Sequence, residues 1–326
     1  MGRVFGQHFG QHLDVFPSGQ VIGKPLATSL MTRTFPSPSE RSQSAPWTHG
    51  TVQANGLQFH YVTAGEGPLL LLLHGFPEFW YSWRHQIPTL AETHRVVAID
   101  LRGYNDTDKP KGSSAYRLPI LIEDVASVIR ALGYDQCTLV GHDWGGAIAW
   151  GVSNQHPELI SNLIVMNLPH PVRFFQGLRT PQQILKSWYV AFFQLPWLPE
   201  FLIQVADYRS FEALFNATLR SRQALTQDDI NAYKIAFAKP GAVTAALNYY
   251  RNVISPDWMN IQWKQLPMPV LMIWGEDDNF LGKELTYGTE EYARDFQIHY
   301  IPNCGHWVQQ ERPELVNQYI CDFLAE

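Results

Sequence analysis

Long apolar runs are missing from this 326-residue chain. The aliphatic stretch 69–73 falls far short of the roughly 20 residues that span a bilayer. No basic start followed by an apolar stretch opens the sequence, so neither a membrane span nor a secretory signal is expected. Cysteine is scarce: Cys137, Cys304 and Cys321 are an odd number without paired spacing. That argues against a disulfide framework and a zinc motif, and it predicts a reducing, cytoplasmic setting. No Lys/Arg-rich run occurs and the formal net charge is −6, which speaks against a nucleic-acid-binding surface. No repeat of solenoid type is visible.

What is present is a core-forming composition. Hydrophobic residues make up 45% and charged residues 17%, which excludes a disordered chain or a coiled coil. Residues 1–46 differ from the rest. They hold a short repeat, Phe5-Gly6-Gln7-His8 then Phe9-Gly10-Gln11-His12, and a Pro/Ser-rich stretch. They read as a mobile N-terminal extension.

From residue 51 the pattern becomes orderly. Two alternating runs, 51–54 and 57–62, flank Asn55-Gly56, a strong hairpin signal. Short apolar runs follow at 69–73, 96–99, 138–140, 163–165, 270–274 and 298–301. Helical periodicity lies between most of them, as over 120–132. Apolar strands alternating with helices predict an α/β protein with a mostly parallel sheet covered on both faces. The alternation stops between about 168 and 254, where aromatic, helix-like spacing predicts an all-helical insertion. The expected layout is a core of residues 47–167 and 255–326 interrupted by a cap, 168–254.

Gly141-His142-Asp143-Trp144-Gly145-Gly146 reads as strand, sharp turn, then helix. Glycines two before and two after Asp143 meet the steric demand of a nucleophile elbow. The central residue is Asp instead of Ser. A carboxylate there attacks an sp³ carbon and forms an alkyl ester, which water then cleaves. The competing reading makes Asp143 a helix N-cap; the glycine frame and the preceding apolar strand disfavour it. His142, beside the nucleophile, reads as a packed or hydrogen-bonded histidine.

Run 69–73 leads into His74-Gly75-Phe76-Pro77. The backbone N–H groups of Phe76 and Trp144 are candidates for an oxyanion hole. Run 270–274 ends in Gly275-Glu276-Asp277-Asp278, three competing acids. Run 298–301 leads to Asn303-Cys304-Gly305-His306. Nucleophile, acid and histidine thus follow in hydrolase order, with His306 as the general base and an acid orienting it.

The chain therefore resembles an epoxide hydrolase of the α/β-hydrolase superfamily, the Asp-nucleophile group related to haloalkane dehalogenases. The resemblance covers about residue 47 to the C-terminus. Besides the elbow, it rests on His74-Gly-Phe-Pro-Glu-Phe-Trp-Tyr-Ser-Trp83, Asp100-Leu-Arg-Gly-Tyr104, Asn248-Tyr-Tyr-Arg-Asn252, Trp274-Gly-Glu-Asp-Asp278 and Gly305-His306. It implies an α/β-hydrolase fold with an inserted helical cap, and it selects Asp278 among the three acids. It also implies two cap tyrosines, Tyr189 and Tyr250, that hydrogen-bond the epoxide oxygen, with Tyr249 as the neighbouring competitor of Tyr250. The product is a vicinal diol, and neither cofactor nor metal is implied.

Trp144, Phe192, Phe193, Trp197 and Trp307 are expected to line an apolar substrate pocket, with Leu195 and Phe201 as further cap candidates. The expected partner is a small-molecule epoxide; whether the protein is a monomer or a homodimer is left open. Two rival readings are a haloalkane or haloacid dehalogenase using the same Asp143, and a catalytically silent binding protein on the same fold. The position matching a dehalogenase's second halide donor holds Tyr189 where Trp is typical.

Overall fold

The structure, a computed structural model, describes residues 46–326, which fall within one structural unit. The expectation of a mobile extension falls on residues 1–45, outside the described ones. Eight strands form one sheet: β1 (Thr48–Ala54), β2 (Leu57–Ala64), β3 (Leu69–Leu73), β4 (Arg95–Ile99), β5 (Cys137–His142), β6 (Ile160–Met166), β7 (Leu266–Gly275) and β8 (Ala293–Ile301). Their spatial order is β1-β2-β4-β3-β5-β6-β7-β8. β1 and β2 are antiparallel, as is β2 against β4; every later pairing is parallel.

Local chemistry explains the pattern. Asn55 and Gly56 both take positive φ, 44° and 75°, which matches hairpin twist. All five residues of β3 are buried, because helices cover both faces of the parallel part. Helix Leu118–Ala131 begins with Pro at its second position. There its missing N–H costs nothing, because first-turn N–H groups have no intrahelical partner.

The parallel strands run in register. Leu73 pairs with Gly141, Gly141 with Val165, Met166 with Ile273, and Gly275 with Ile301. Their carboxyl ends therefore form one edge. The loops leaving β3, β5, β6, β7 and β8 stand side by side there, where α/β folds place their sites.

Between β6 and β7 lie only helices: Pro171–Gly177, Pro181–Lys186, Trp188–Phe192, Leu198–Thr218, Gln227–Ala238, Ala242–Arg251 and Asp257–Asn260. Leu198–Thr218 is two helical pieces, broken where Ala206, Asp207 and Tyr208 take positive φ. Gln227–Ala238 starts with a capping box between Thr226 and Asp229, which satisfies N–H groups that a first turn leaves unpaired.

Candidate active site

β5 ends at His142, and helix Trp144–Gln155 begins two residues later. The turn is tight enough to exclude side chains on both flanks. A Cβ on Gly145 would lie 2.1 Å from the Leu73 carbonyl oxygen, and one on Gly141 would lie 2.4 Å from that of Gly145. Asp143 between them has φ 49° and ψ −121°. That strained backbone is unusual for a residue with a side chain. Its side chain makes no capping hydrogen bond to the helix, so the N-cap reading fails. The carboxylate instead rises from the sheet edge.

Neighbouring loops converge on it. The Phe76 N–H donates to Asp143 Oδ1 at 2.8 Å. Asp143 Oδ2 faces His306 Nε2 at 3.6 Å. His306 Nδ1 meets Asp278 Oδ2 at 2.7 Å. Asp278 is further held by N–H groups of Phe280 (2.7 Å) and Leu281 (3.0 Å) on Oδ1. Among the three competing acids, Asp278 alone points at the histidine. Glu276 pairs with Lys283, and Asp277 lies 3.8 Å from Arg220.

All three charged groups are buried, and burial by itself penalises every charge. For His306, burial pushes the pKa down, but Asp278 and Asp143 outweigh it and hold it up at about 10. For Asp143, burial pushes up, and bonding and charge from His306 prevail, so its carboxyl lies below the ordinary range. Asp278 is likewise lowered, with burial opposed mainly by His306.

The helices between β6 and β7 supply the facing wall. Tyr189 sits on helix Trp188–Phe192 and Tyr250 on Ala242–Arg251. Their rings stand 5.8 Å apart in a T-shaped contact. Burial, then the charge of Asp143, pushes both phenols above their ordinary 10.0. Tyr249 faces elsewhere: its hydroxyl donates to the Arg102 carbonyl at 2.7 Å. Adjacent residues on a helix point about 100° apart, so of the pair only Tyr250 lines the cavities at Asp143, while Tyr249 packs against Trp144.

Two cavities share Asp143, Tyr189 and Tyr250 as lining residues. The smaller, about 60 Å³, is closed by Trp144, Phe174, Phe175 and Trp258. The larger, about 240 Å³, is bounded by Phe76, Phe192, Phe193, Phe280, His306 and Trp307. Of the expected pocket residues, Trp144, Phe192, Phe193 and Trp307 line one or the other. Trp197 does not. It is 70% exposed with φ 54°, just before helix Leu198–Thr218. Leu195 and Phe201 are also exposed and line neither cavity. Aromatic character marks this segment as apolar, but Leu195 and Trp197 lie between helices Trp188–Phe192 and Leu198–Thr218, where helical spacing does not set direction, and Phe201 falls on an exposed side of the latter.

Other site residues escaped sequence reasoning. Asn167, just past β6, donates to Asp278 Oδ2 at 2.7 Å and accepts the Gly275 N–H at 2.9 Å. Its place after a strand end in the same edge was the available signal. Buried Glu78 meets His142 Nδ1 at 2.9 Å, and His142 Nε2 donates to the His306 carbonyl at 2.9 Å. No sequence pattern pairs those residues, which come from the end of β5 and from two separate loops. Trp258, Phe174 and Phe175, walls of the smaller cavity, carried no spacing signal.

Residues 68–313 match the family described as alpha/beta hydrolase fold. The chain is 44% identical to human epoxide hydrolase 4 over 283 residues, 84% of this chain and 78% of that protein. It is 40% identical to epoxide hydrolase 2 of Caenorhabditis elegans, covering 86% of this chain and 81% of that one. A crystal structure of a Bacillus megaterium epoxide hydrolase mutant aligns with TM-score 0.79 at 35% identity, covering 85% of this chain and all of that one. With eight strands in this order, an acidic elbow and these relatives, the chain belongs to the α/β-hydrolase fold family.

Proposed function

We propose that the protein is an epoxide hydrolase that converts an apolar epoxide and water to a vicinal diol through an ester on Asp143. One observation carries the reading: Asp143 faces His306–Asp278 on one side and two buried cap phenols on the other. The names of the relatives support it, as does the apolar lining of both cavities.

Asp143 Oδ1 is held by the Phe76 N–H, which leaves Oδ2 as the attacking atom. A new Oδ2–carbon bond forms as the ring carbon–oxygen bond breaks. The released alkoxide takes a proton from Tyr189 or Tyr250; without that donor it is a poor leaving group. Ester formation also removes the negative charge of Asp143. The His306 pKa, held up partly by that charge, then falls, so the imidazolium passes its proton to the phenolate left by the first step and becomes a base when a base is needed.

His306 takes a proton from water, whose oxygen attacks the ester carbonyl. Phe76 and Trp144 N–H groups receive the oxyanion. The acyl–oxygen bond breaks and frees the diol. The leaving oxygen takes the proton that His306 took from water, and the new Asp143 carboxyl, which keeps the water oxygen, passes its own proton to His306, so epoxide plus water balance the diol. Residues 168–254 act as the cap that supplies the phenols and shields the ester. The unequal cavities fit an epoxide with a larger apolar group on one ring carbon than on the other.

The test is a single turnover in heavy-oxygen water with styrene oxide. The diol should emerge unlabelled, its new oxygen having come from Asp143, while the label enters the protein. A labelled diol would exclude the ester. A panel of terminal, styrene-type and fatty-acid epoxides then ranks the substrates.

A further inference from the structure

The cap touches the catalytic loops a second time, through residues that line neither cavity. Leaving helix Leu198–Thr218, the chain passes Leu219, Arg220 and Ser221 along the loops that carry Asp278 and His306. Buried Glu311 sits between them. Its Oε2 accepts the N–H groups of Arg220 at 2.8 Å and Ser221 at 3.1 Å. Its Oε1 accepts the N–H of Gly305, the residue before His306, at 3.0 Å. One carboxylate thus ties this loop between two cap helices to the histidine loop.

The acid loop is tied to the same segment. Arg220 Nη2 donates to the Asp277 carbonyl at 3.0 Å and to Asn279 Oδ1 at 3.1 Å. Asn279 Nδ2 donates to the Thr218 carbonyl at 3.3 Å. The residues on both sides of Asp278 are therefore bonded to the cap. A Cβ on Gly305 would lie 2.7 Å from Glu311 Oε1 and 3.0 Å from the Thr218 carbonyl oxygen, so the histidine loop and the end of helix Leu198–Thr218 are packed without slack. Asp143, Tyr189 and Tyr250 receive no hydrogen bond from this cluster.

We propose that Glu311 and Arg220 are positioning residues that use the loop between two cap helices to hold the His306–Asp278 pair, serving ester hydrolysis and not ester formation. This inference rests on the epoxide hydrolase reading. Three N–H groups converge on one carboxylate. An amide of the same shape turns a donor toward at least one of them and leaves buried donors unpaired. The loop then shifts, and the base loses its aim at the ester. Attack by Asp143 needs only the Phe76 N–H and the phenols, which this shift does not touch.

The experiment is rapid-quench single turnover of the full chain with styrene oxide, following alkyl-enzyme by mass and diol by chromatography. Glu311→Gln and Arg220→Ala are compared with the unaltered protein, and melting is recorded for each. The expected result is an unchanged rate of ester formation and hydrolysis slowed by about tenfold or more, so that ester accumulates. Arg220 is exposed, so its variant reports even where Glu311→Gln does not fold. Equal slowing of both steps, or unchanged hydrolysis in Arg220→Ala, would overturn the proposal. Absence of any ester in the unaltered protein would instead overturn the epoxide hydrolase reading, and this inference with it.

Discussion

The two walls around Asp143 are built by different physics. On the sheet side, hydrogen bonds decide the geometry: Asp278 accepts from His306, Asn167, Phe280 and Leu281, at 2.7 to 3.0 Å. On the cap side, ring packing decides it. Tyr250 stands edge-on to Phe76, Trp144, Tyr189 and Phe193, all within 5.8 Å between centroids. Directional bonds tolerate little displacement, whereas aromatic contacts vary over several tenths of an ångström at small cost. The sheet side therefore suits the step that must aim a proton. The apolar cap side suits substrates of varied shape.

The contrast is broken most severely at its centre. Asp143→Ala should lower turnover by about 10⁴-fold or more, as loss of a covalent nucleophile does, with folding intact by circular dichroism. Residual turnover near that of the unaltered protein would refute the ester route. Next in size is the sheet wall. His306→Gln should still form the ester but scarcely release diol, and mass spectrometry should find protein heavier by one substrate. Recovery of unmodified protein alone would place His306 elsewhere in the reaction.

The cap wall should give a smaller loss. Tyr250→Phe should slow ester formation by about 10²-fold, the usual worth of a general acid, while hydrolysis of preformed ester is unchanged; Tyr189→Phe should act on the same step. Slowing confined to hydrolysis would contradict that division of labour.

Acid–base linkage separates the walls further. His306 has a folded-state pKa of about 10 against an ordinary 6.5. A raised value stabilises the fold fully below 6.5 and loses that contribution as pH climbs to 10. Unfolding free energy should therefore fall across that window, and His306→Gln should flatten the fall. An equally steep profile in the variant would mean that other groups dominate. The smallest effect is expected at Trp197, exposed and outside both cavities. Trp197→Ala should shift stability by no more than about 0.5 kcal/mol and leave kcat/KM unchanged. A changed KM would bring that surface into substrate binding.

Much of the sheet wall was legible without coordinates because strand ends carry their own punctuation. Apolar runs stop at Gly, Asp or Asn, and a functional residue follows within a few positions: Asp143 after β5, Asp278 after β7, His306 after β8. Glycine spacing announced the elbow for a steric reason that holds in any chain. Strand limits were less legible. β6 begins at Ile160 and β8 at Ala293, well before the apolar stretches 163–165 and 298–301, because a strand's polar start pairs through its backbone. The cap wall was legible only as apolar and helical. Resemblance, not periodicity, singled out Tyr189 and Tyr250, and Trp197 was misplaced because it lies between two helices with φ 54°, where helical spacing does not set its direction.

The sequence by itself determined the alternating architecture, the acidic elbow and the order of nucleophile, acid and histidine. Each follows from interactions within a few residues: apolar period, turn sterics, strand termination. Tertiary structure decided that Asn167 and Glu78 support the site, and it brought Asp278 to His306 and Tyr250 to Asp143, choices that local pattern left open and only the resemblance had made. Those outcomes depend on groups from 28 to 164 residues apart, such as His306 with Asp278 and His306 with His142. Their approach is set by sheet register and helix phase together.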